Sequence, residues 1–329
     1  MSSISTAALA DGGKAVALSV VLGVIFAFVP FLSIVAVPAL PVPVAYITSR
    51  HGVPVGLLAS LATGLLVSVF AGFFAGLLVF LLAAAVGVGT GTGLRREMPL
   101  MRLLILVAAL FLVSLLVWLA VLLASAGLSP VAAVDQVADQ AVGPASEVYS
   151  GLGMDQQSID AAVENFRDFI TMLPYLLPAL LLVMSIVLSG ATVALAKQVF
   201  LRLKQPFPAS FSFREFRLHF AFAYLMIIGL ACELVMPYVP PAYVDPVGFT
   251  GMNLVIVSEA LFFIQGLAIA YFFMCRYKVP QTARVMIYAA LFIIQLIFSL
   301  VSWLGLFDTW IDYRRRFNRK KPKGQKRRL

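Results

Sequence analysis

Charged residues are scarce in this chain. They make up 12% of its 329 residues, whereas soluble globular domains carry about 25%. Mean hydropathy is correspondingly high, at +1.00, and long apolar runs recur along the whole sequence. A helix of about 20 such residues crosses the hydrocarbon core of a bilayer. The composition therefore excludes a soluble domain and predicts an all-α, polytopic transmembrane helical bundle.

Residues that bind metals or form disulfides are also few. The chain has two cysteines and two histidines. Both cysteines, Cys232 and Cys275, lie inside apolar segments, which argues against a disulfide framework or a metal site. No Ser/His/Asp or Cys/His set is visible, and the glycine-rich stretch 87–97 lacks the Lys-Ser/Thr pair of a phosphate-binding loop. We therefore expect neither an enzyme nor a bound cofactor or metal.

Eight full membrane spans and one short segment are predicted. Prolines at 38, 41 and 43 predict a short, broken or re-entrant segment over 39–49, because proline disfavours helix at the residue before it. The stretch between Arg50 and Arg95 is too long for one helix and predicts two spans joined by a turn near 70–72. The other full spans are expected at 15–37, 101–126, 173–196, 220–238, 253–273 and 285–306. Residues 1–313 are predicted to form one integral membrane domain, followed by a basic tail over 314–329.

The charges of the loops predict their sides of the membrane. Segment 129–168 holds seven carboxylates and one arginine, so it lacks the Lys/Arg excess of cytoplasmic loops and is predicted to be extracytoplasmic. It begins with a Ser-Pro pair, and "DQQSIDAAVENFRDFI" inside it is amphipathic, which predicts two helices.

The basic tail carries ten Lys and Arg residues. Beside a span, such residues favour the cytoplasm and attract anionic headgroups, so the lipid bilayer is an expected partner and nucleic acid is not. Two further loops, after the spans 173–196 and 253–273, are also basic. A single last span over 285–306 would nevertheless place the tail on the other side of the membrane from these loops. This conflict leaves the side of the tail open, although we favour the cytoplasm.

Small residues recur at every fourth position in two apolar regions. Such stripes let the backbones of transmembrane helices approach closely, so we predict a role in helix packing or in docking a membrane partner. The stripes contain Ala15, Ser19, Gly23 and Ala27 in the first helix, and Gly56, Ser60, Gly64 and Gly72 in the hairpin.

Two carboxylates lie inside predicted spans, where a charge costs about 2.5–3.5 kcal/mol at mid-helix. Glu233 and Glu259 belong to consecutive spans and fall in their outer halves, near the polar side chains of Asn253 and Gln265. These four residues are predicted to bind a polar solute or a coupled cation. In the alternative, the two glutamates are protonated or bonded to neighbouring helices and serve packing alone.

Two stretches near the C-terminus, "SEALFFIQGLAIAYFFMCRYKVP" and "LGLFDTWIDYRRRF", resemble the YybS-like family of bacterial multi-pass inner-membrane proteins. The similarity is specific in the Gln265-Gly266-Leu267 run, and the other family-motif residues are Gly305, Asp308, Asp312 and Arg314. The N-terminal two-thirds is similar in layout only. The resemblance implies the bacterial cytoplasmic (inner) membrane.

More distantly, the chain is similar to the S-components of energy-coupling-factor transporters. That similarity implies a core that binds or transports a small solute, without an ATPase of its own and with a separate energising membrane partner. The stripe of the first helix is similar to the face by which S-components dock. The alternative is a membrane scaffold or assembly factor that binds protein partners and lipid but no solute.

Overall fold

The computed structural model describes residues 6–153, 155–208 and 212–319, and these residues form helices, turns and connecting loops without a strand. Eight of the helical segments are long and apolar enough to cross a membrane. The prediction of an all-α, polytopic bundle is therefore confirmed. The chain divides into two compact units, Met1–Ala209 and Ser210–Leu329. That residues 1–313 form a single membrane domain stays a prediction.

The described residues of the first unit form nine α-helices. Their bounds are α1 Thr6–Phe28, α2 Pro30–Ala39, α3 Pro41–His51, α4 Val53–Ala71, α5 Phe73–Leu81, α6 Val88–Arg95, α7 Leu100–Ala126, α8 Pro130–Gly151 and α9 Gln156–Arg202. A π-helical turn, Leu82–Gly87, joins α5 to α6. The main core of the first unit includes Val44, Val67, Val79, Leu103 and Phe111.

The first two spans differ from the prediction. Helix α1 ends at Phe28 and not near residue 37, because Val29 precedes Pro30 and leaves the helical region, with φ −126° and ψ 84°. The segment predicted as short or re-entrant, 39–49, instead belongs to a 22-residue candidate span, Pro30–His51. Leu40 keeps helical angles, and Pro41 and Pro43 lie in a first helical turn, where backbone N–H groups have no intrahelical partner to lose.

The predicted turn near residues 70–72 is confirmed. Gly72 has a φ of +85° and separates α4 from α5, a conformation that glycine adopts without steric cost. The two helices then approach so closely that a Cβ on Gly76 would lie 2.6 Å from the Gly64 carbonyl oxygen. Ser60 is buried as well, and a Cβ on Gly56 would meet Thr48 of α3 and Val88 of α6, so residues of this stripe pack against helices of the first unit.

The stripe of α1 also faces the interior of the first unit. Ala15, Ser19 and Gly23 are buried, and the Ser19 hydroxyl donates to the Leu40 carbonyl oxygen at 3.3 Å. A Cβ on Gly23 would lie 2.7 Å from a methyl carbon of Val67 in α4. Ala27, in contrast, is exposed. Ala15, Ser19 and Gly23 thus contact neighbouring helices of the same unit.

The acidic segment forms a helical hairpin. Ser129 caps α8 by accepting from the Ala132 amide at 3.1 Å, and Asp155 caps α9 by accepting from the Ser158 amide at 3.2 Å. The Ser158 hydroxyl also donates to Asp155, and these bonds lower the pKa of its carboxyl group. Asp139 of α8 and Arg167 of α9 form an ion pair. Helix α9 has 47 residues, about 70 Å, so its first part extends well beyond a bilayer core of about 30 Å.

Within residues 212–319, the second unit has five α-helices. They are α10 Phe222–Val235, α11 Val244–Arg276, α12 Gln281–Phe298, α13 Leu300–Ile311 and α14 Tyr313–Arg319. Short 3-10 turns at Phe213–Glu215, Met236–Tyr238 and Pro241–Tyr243 complete the described part of this unit. Ala223, Met226, Phe262 and Leu306 form its core.

The last predicted span, 285–306, is two helices. Ser299 adopts a φ of +52° and ends α12. The Gln295 side chain then accepts from the Ser302 amide at 3.0 Å, so it satisfies one of the unpaired donors at the start of α13. Helix α13 runs in the same direction as α11: the Ser302 hydroxyl donates to the Glu259 carbonyl oxygen, and the rings of Phe317 and Phe273 lie 5.2 Å apart.

This extra helix removes the conflict over the tail. Because α13 follows the direction of α11, the chain after it returns to the end of the unit at which α11 finishes with Arg276. Arg214 and Arg217 contact α13 or the residues that follow it at this same end. Arg214, Arg217, Arg276 and the start of the tail therefore lie at one end of the unit. This agrees with a cytoplasmic location for all of them. Residues 320–329 of the tail lie outside the described residues.

We expect cysteine labelling to report this topology. In a background with Cys232 and Cys275 replaced by serine, Gln140→Cys in the acidic hairpin should react with an impermeant maleimide in intact cells. Thr282→Cys, between α11 and α12, and Arg316→Cys in α14 should react only after permeabilisation. Labelling of Arg316→Cys in intact cells would place the tail outside and contradict the assignment.

Candidate functional site

Gln265 joins three segments of the second unit. It is fully buried; its side-chain oxygen accepts from the Leu218 amide at 2.9 Å, and its side-chain nitrogen donates to the Gly305 carbonyl oxygen at 2.9 Å. The close approach of α13 to α11 at Gly305 makes the second bond possible, since a Cβ there would lie 3.0 Å from the Gly266 nitrogen. Gln265, predicted to bind substrate, thus holds helices together.

Asp308 is a fully buried carboxylate near the end of α13. One oxygen accepts from the Tyr313 amide at 2.9 Å, and the other from a terminal nitrogen of Arg314 at 2.8 Å. The chain turns back because Asp312 adopts a φ of +50° between α13 and α14, a conformation that aspartate tolerates better than most residues. A buried carboxylate is therefore neutralised by an arginine only six positions ahead of it.

Arg314 has more donors than partners. Its side chain is 8% exposed, and its other terminal nitrogen donates to the Arg214 carbonyl oxygen at 2.7 Å. Its Nε is buried without a hydrogen-bond partner among the described residues. Such an unpaired buried donor carries a free-energy cost of about 1–3 kcal/mol or more. Although the sequence assigns Arg314 to a basic tail, the structure makes it part of the interior.

Arg217 and Asp312 form a second, more exposed ion pair beside the first. The closest N–O distance is 3.0 Å, and the Arg217 side chain is 43% exposed. Burial acts to raise the pKa of Asp312, but the bond from the Arg315 amide and the Arg217 guanidinium outweigh it and hold the pKa below its ordinary value. Arg217 also lies 3.9 Å from the Asp308 carboxylate, so it can interact with either acid.

An open cavity of about 740 Å³ lies over these ion pairs. We call it the arginine groove, and it is lined by Arg214, Glu215, Arg217, Phe272, Asp312, Arg314 and Arg315. Four of the seven lining residues are arginines and two are acids, so guanidinium groups outnumber carboxylates. Cavities of about 300–1,000 Å³ are typical of small-ligand sites. The groove is therefore suited to bind an anion.

The remaining predicted substrate residues do not reach this groove. Glu233 is exposed, and its amide nitrogen lies level with Gly251 of α11. Glu259 lies eight positions beyond Gly251, about 12 Å along the helix axis. The Asn253 side chain donates to the Phe249 carbonyl oxygen of its own helix at 2.7 Å. A shared cavity for the two glutamates stays a prediction.

The family-motif residues, in contrast, come together. Gly305, Asp308, Asp312 and Arg314 all lie within one short segment that packs on Gln265 or borders the groove. Arg214 and Arg217 were not predicted as site residues, because they belong to a basic loop whose charge predicts only its side of the membrane. The sole signal was the surplus of arginine in the segment before α10. Among the described residues, no three His, Cys, Asp or Glu side chains gather in a way that could hold a metal ion.

Comparison with known proteins confirms the resemblance. Residues 17–309 match a family described as "Predicted membrane protein (DUF2232)". The chain is also 22% identical over 303 residues to the uncharacterized protein YybS of Bacillus subtilis (strain 168), and this covers 92% of the chain and 96% of the relative. No solved structure matches the chain, and the more distant similarity to S-components stays a prediction.

Proposed function

This chain belongs to the DUF2232 family of membrane proteins, and on that premise we propose that it binds a small anionic solute in the arginine groove. We place it in the bacterial cytoplasmic membrane, as its Bacillus relative is bacterial. We assign it no catalytic reaction and no ATPase of its own. If it moves the solute across the membrane, a separate partner must supply the energy.

The proposal depends on one observation, the excess of guanidinium groups over carboxylates in the lining of the groove. Arg314 is held in place by Asp308 and the Arg214 carbonyl oxygen. Three further arginines line the same cavity. Guanidinium groups bind carboxylates and phosphates through paired hydrogen bonds, and a cavity with an excess of positive charge raises the local concentration of anions.

The outer-half site predicted around Glu233 and Glu259 is a weaker candidate. Those carboxylates would favour a cation, but Glu233 is exposed and Gln265 is engaged in joining helices. The scaffold alternative would need free docking faces. Most of the small-residue stripe of α1 is already buried within the first unit, which leaves that alternative with less support.

Native mass spectrometry of gently purified protein tests the proposal. We expect a bound small anion on the wild-type protein and at least about tenfold lower occupancy on Arg217→Gln, because a hydrogen bond to a charged group contributes about 1.5–3 kcal/mol. The exposed pair with Asp312 contributes about 0–1 kcal/mol, so this variant should remain folded.

Arg102→Gln provides a matched control, since Arg102 is exposed in the first unit and its loss should leave occupancy unchanged. Equal occupancy on all three proteins would contradict the site. A protein partner without any small anion would instead favour the scaffold alternative.

A further inference from the structure

We infer that the ligand of the arginine groove carries a phosphate group, held between Arg314 and Arg217. This inference depends on the proposed anion-binding function and narrows it to one class of ligand. Three features of the groove support it: the arrangement of its donors, the difference in freedom between Arg314 and Arg217, and its size relative to a bare ion.

The donors converge from two separate segments. Arg214 and Arg217 precede α10, whereas Arg314 and Arg315 follow α13. A phosphate presents three terminal oxygens and accepts paired bonds from several guanidinium groups at once. A carboxylate has two oxygens in one plane and cannot accept as many of these bonds.

Arg314 and Arg217 differ in freedom, and this difference suits capture of a ligand. Arg314 is fixed by bonds to Asp308 and to the Arg214 carbonyl oxygen. Arg217 is nearly half exposed and holds Asp312 in a pair that costs little to break. A phosphate entering the groove therefore meets one pre-positioned guanidinium and one that can leave Asp312 to bind it.

The groove is larger than a phosphate ion and has one aromatic wall. Its volume is about 740 Å³, and Phe272 lines it, so the rest of the ligand has room to pack against a ring. Two sources provide this chemistry: a soluble phosphate ester, and the headgroup of an anionic phospholipid. A phospholipid headgroup can reach the groove because basic residues at the end of a span lie at headgroup level.

Titration of delipidated protein with four probes tests the inference. The probes are glycerol 3-phosphate, succinate, and short-chain phosphatidylglycerol and phosphatidylcholine, and native mass spectrometry gives the affinity for each. We expect glycerol 3-phosphate to bind at least about tenfold more tightly than succinate, since it uses more of the charge-assisted bonds. Phosphatidylglycerol binding more tightly than glycerol 3-phosphate, with phosphatidylcholine weak, would identify the headgroup as the source; the reverse would identify a soluble ester.

Three variants in the groove and one control variant localise the binding. Arg217→Gln and Arg315→Gln should each weaken glycerol 3-phosphate binding about tenfold, and Arg217→Lys should recover only part of the loss, because lysine cannot form the paired bonds. Arg102→Gln should bind as the wild type does. Succinate binding as tightly as glycerol 3-phosphate would overturn the phosphate inference and leave the anion-binding function standing. Absence of binding to all anionic probes, or equal binding by all variants, would overturn both.

Discussion

Replacing Asp308 with asparagine is expected to lower the free energy of unfolding by about 3–5 kcal/mol, the range measured when one partner of a buried ion pair is removed. Asp308 is fully buried and Arg314 is 8% exposed. The variant keeps the shape of the side chain but leaves the guanidinium of Arg314 without its counter-charge in the interior. Unfolding in a mixed-detergent series, followed by circular dichroism, measures the loss.

Asp312→Asn is the matched control for Asp308→Asn. Asparagine also tolerates the φ of +50° at this position, and it can still accept the bond from the Arg315 amide. The ion pair that it breaks, with Arg217, is partly exposed and contributes about 0–1 kcal/mol. Equal losses for the two variants would show that burial of the Asp308 pair has no energetic consequence.

A double variant separates the charge from the packing. Asp308→Leu combined with Arg314→Met removes both charges, and replacement of a buried pair by apolar side chains is often neutral or stabilising. We therefore expect the double variant to be more stable than Asp308→Asn. It should also lose the anion bound in the groove, because the fixed guanidinium is gone. Stability and ligand binding would then respond in opposite directions to the same change.

Local signals in the sequence were enough to predict several elements of this fold. Ser129 and Asp155 cap helices through their own side chains, and Gly72 makes a tight turn with its own backbone. Each of these features depends on residues within a few positions along the chain. The turn between α4 and α5 and the starts of α8 and α9 could therefore be predicted from the sequence.

The break at Ser299 has no comparable local signal. The residues around it are apolar, and neither glycine nor proline lies next to it. The Gln295 side chain stabilises the break by capping the next helix, and α13 then packs on Gly266 of α11. At Pro41 and Pro43 the prediction was wrong in the opposite sense. A broken segment was expected, but the N–H groups that the two prolines lack cost nothing in a first helical turn. In both cases, whether the helix continues or breaks depends on the position of the residue in the fold, which residue type alone does not specify.

The candidate site could be predicted only in part for the same reason. The family resemblance identified Asp308, Asp312 and Arg314, but their partners in the segment before α10 depend on the return of α13. Without that helix, Arg214 and Arg217 lie in an ordinary basic loop. Carboxylates inside spans drew attention to Glu233 and Glu259, because a charge in lipid is costly. A role for these two glutamates in binding a solute stays a prediction.

Gly305→Leu should have an effect comparable to that of Asp308→Asn, by a different mechanism. A Cβ at residue 305 would overlap the Phe262 carbonyl oxygen and lie 2.9 Å from the Phe262 carbonyl carbon. Because these are backbone atoms of α11, the side chain cannot be accommodated by a change of rotamer, and α13 must move away. Overpacking of a tight core costs about 1–3 kcal/mol, occasionally more. We expect the upper end of that range, because the hydrogen bond from Gln265 to the Gly305 carbonyl oxygen is also lost.

The movement of α13 should also remove the ligand site, although Gly305 does not line the groove. Asp308, three residues further along the same helix, holds Arg314 in place, so a shift of α13 separates the arginines that follow it from Arg217. Gly305→Leu is therefore expected to lose both thermal stability and glycerol 3-phosphate binding. Gly190→Leu in α9 is the control, since a Cβ there meets nothing within 4 Å and leucine favours helix over glycine by nearly 1 kcal/mol. Normal binding by a folded Gly305→Leu protein would show that the groove forms without close contact between α11 and α13.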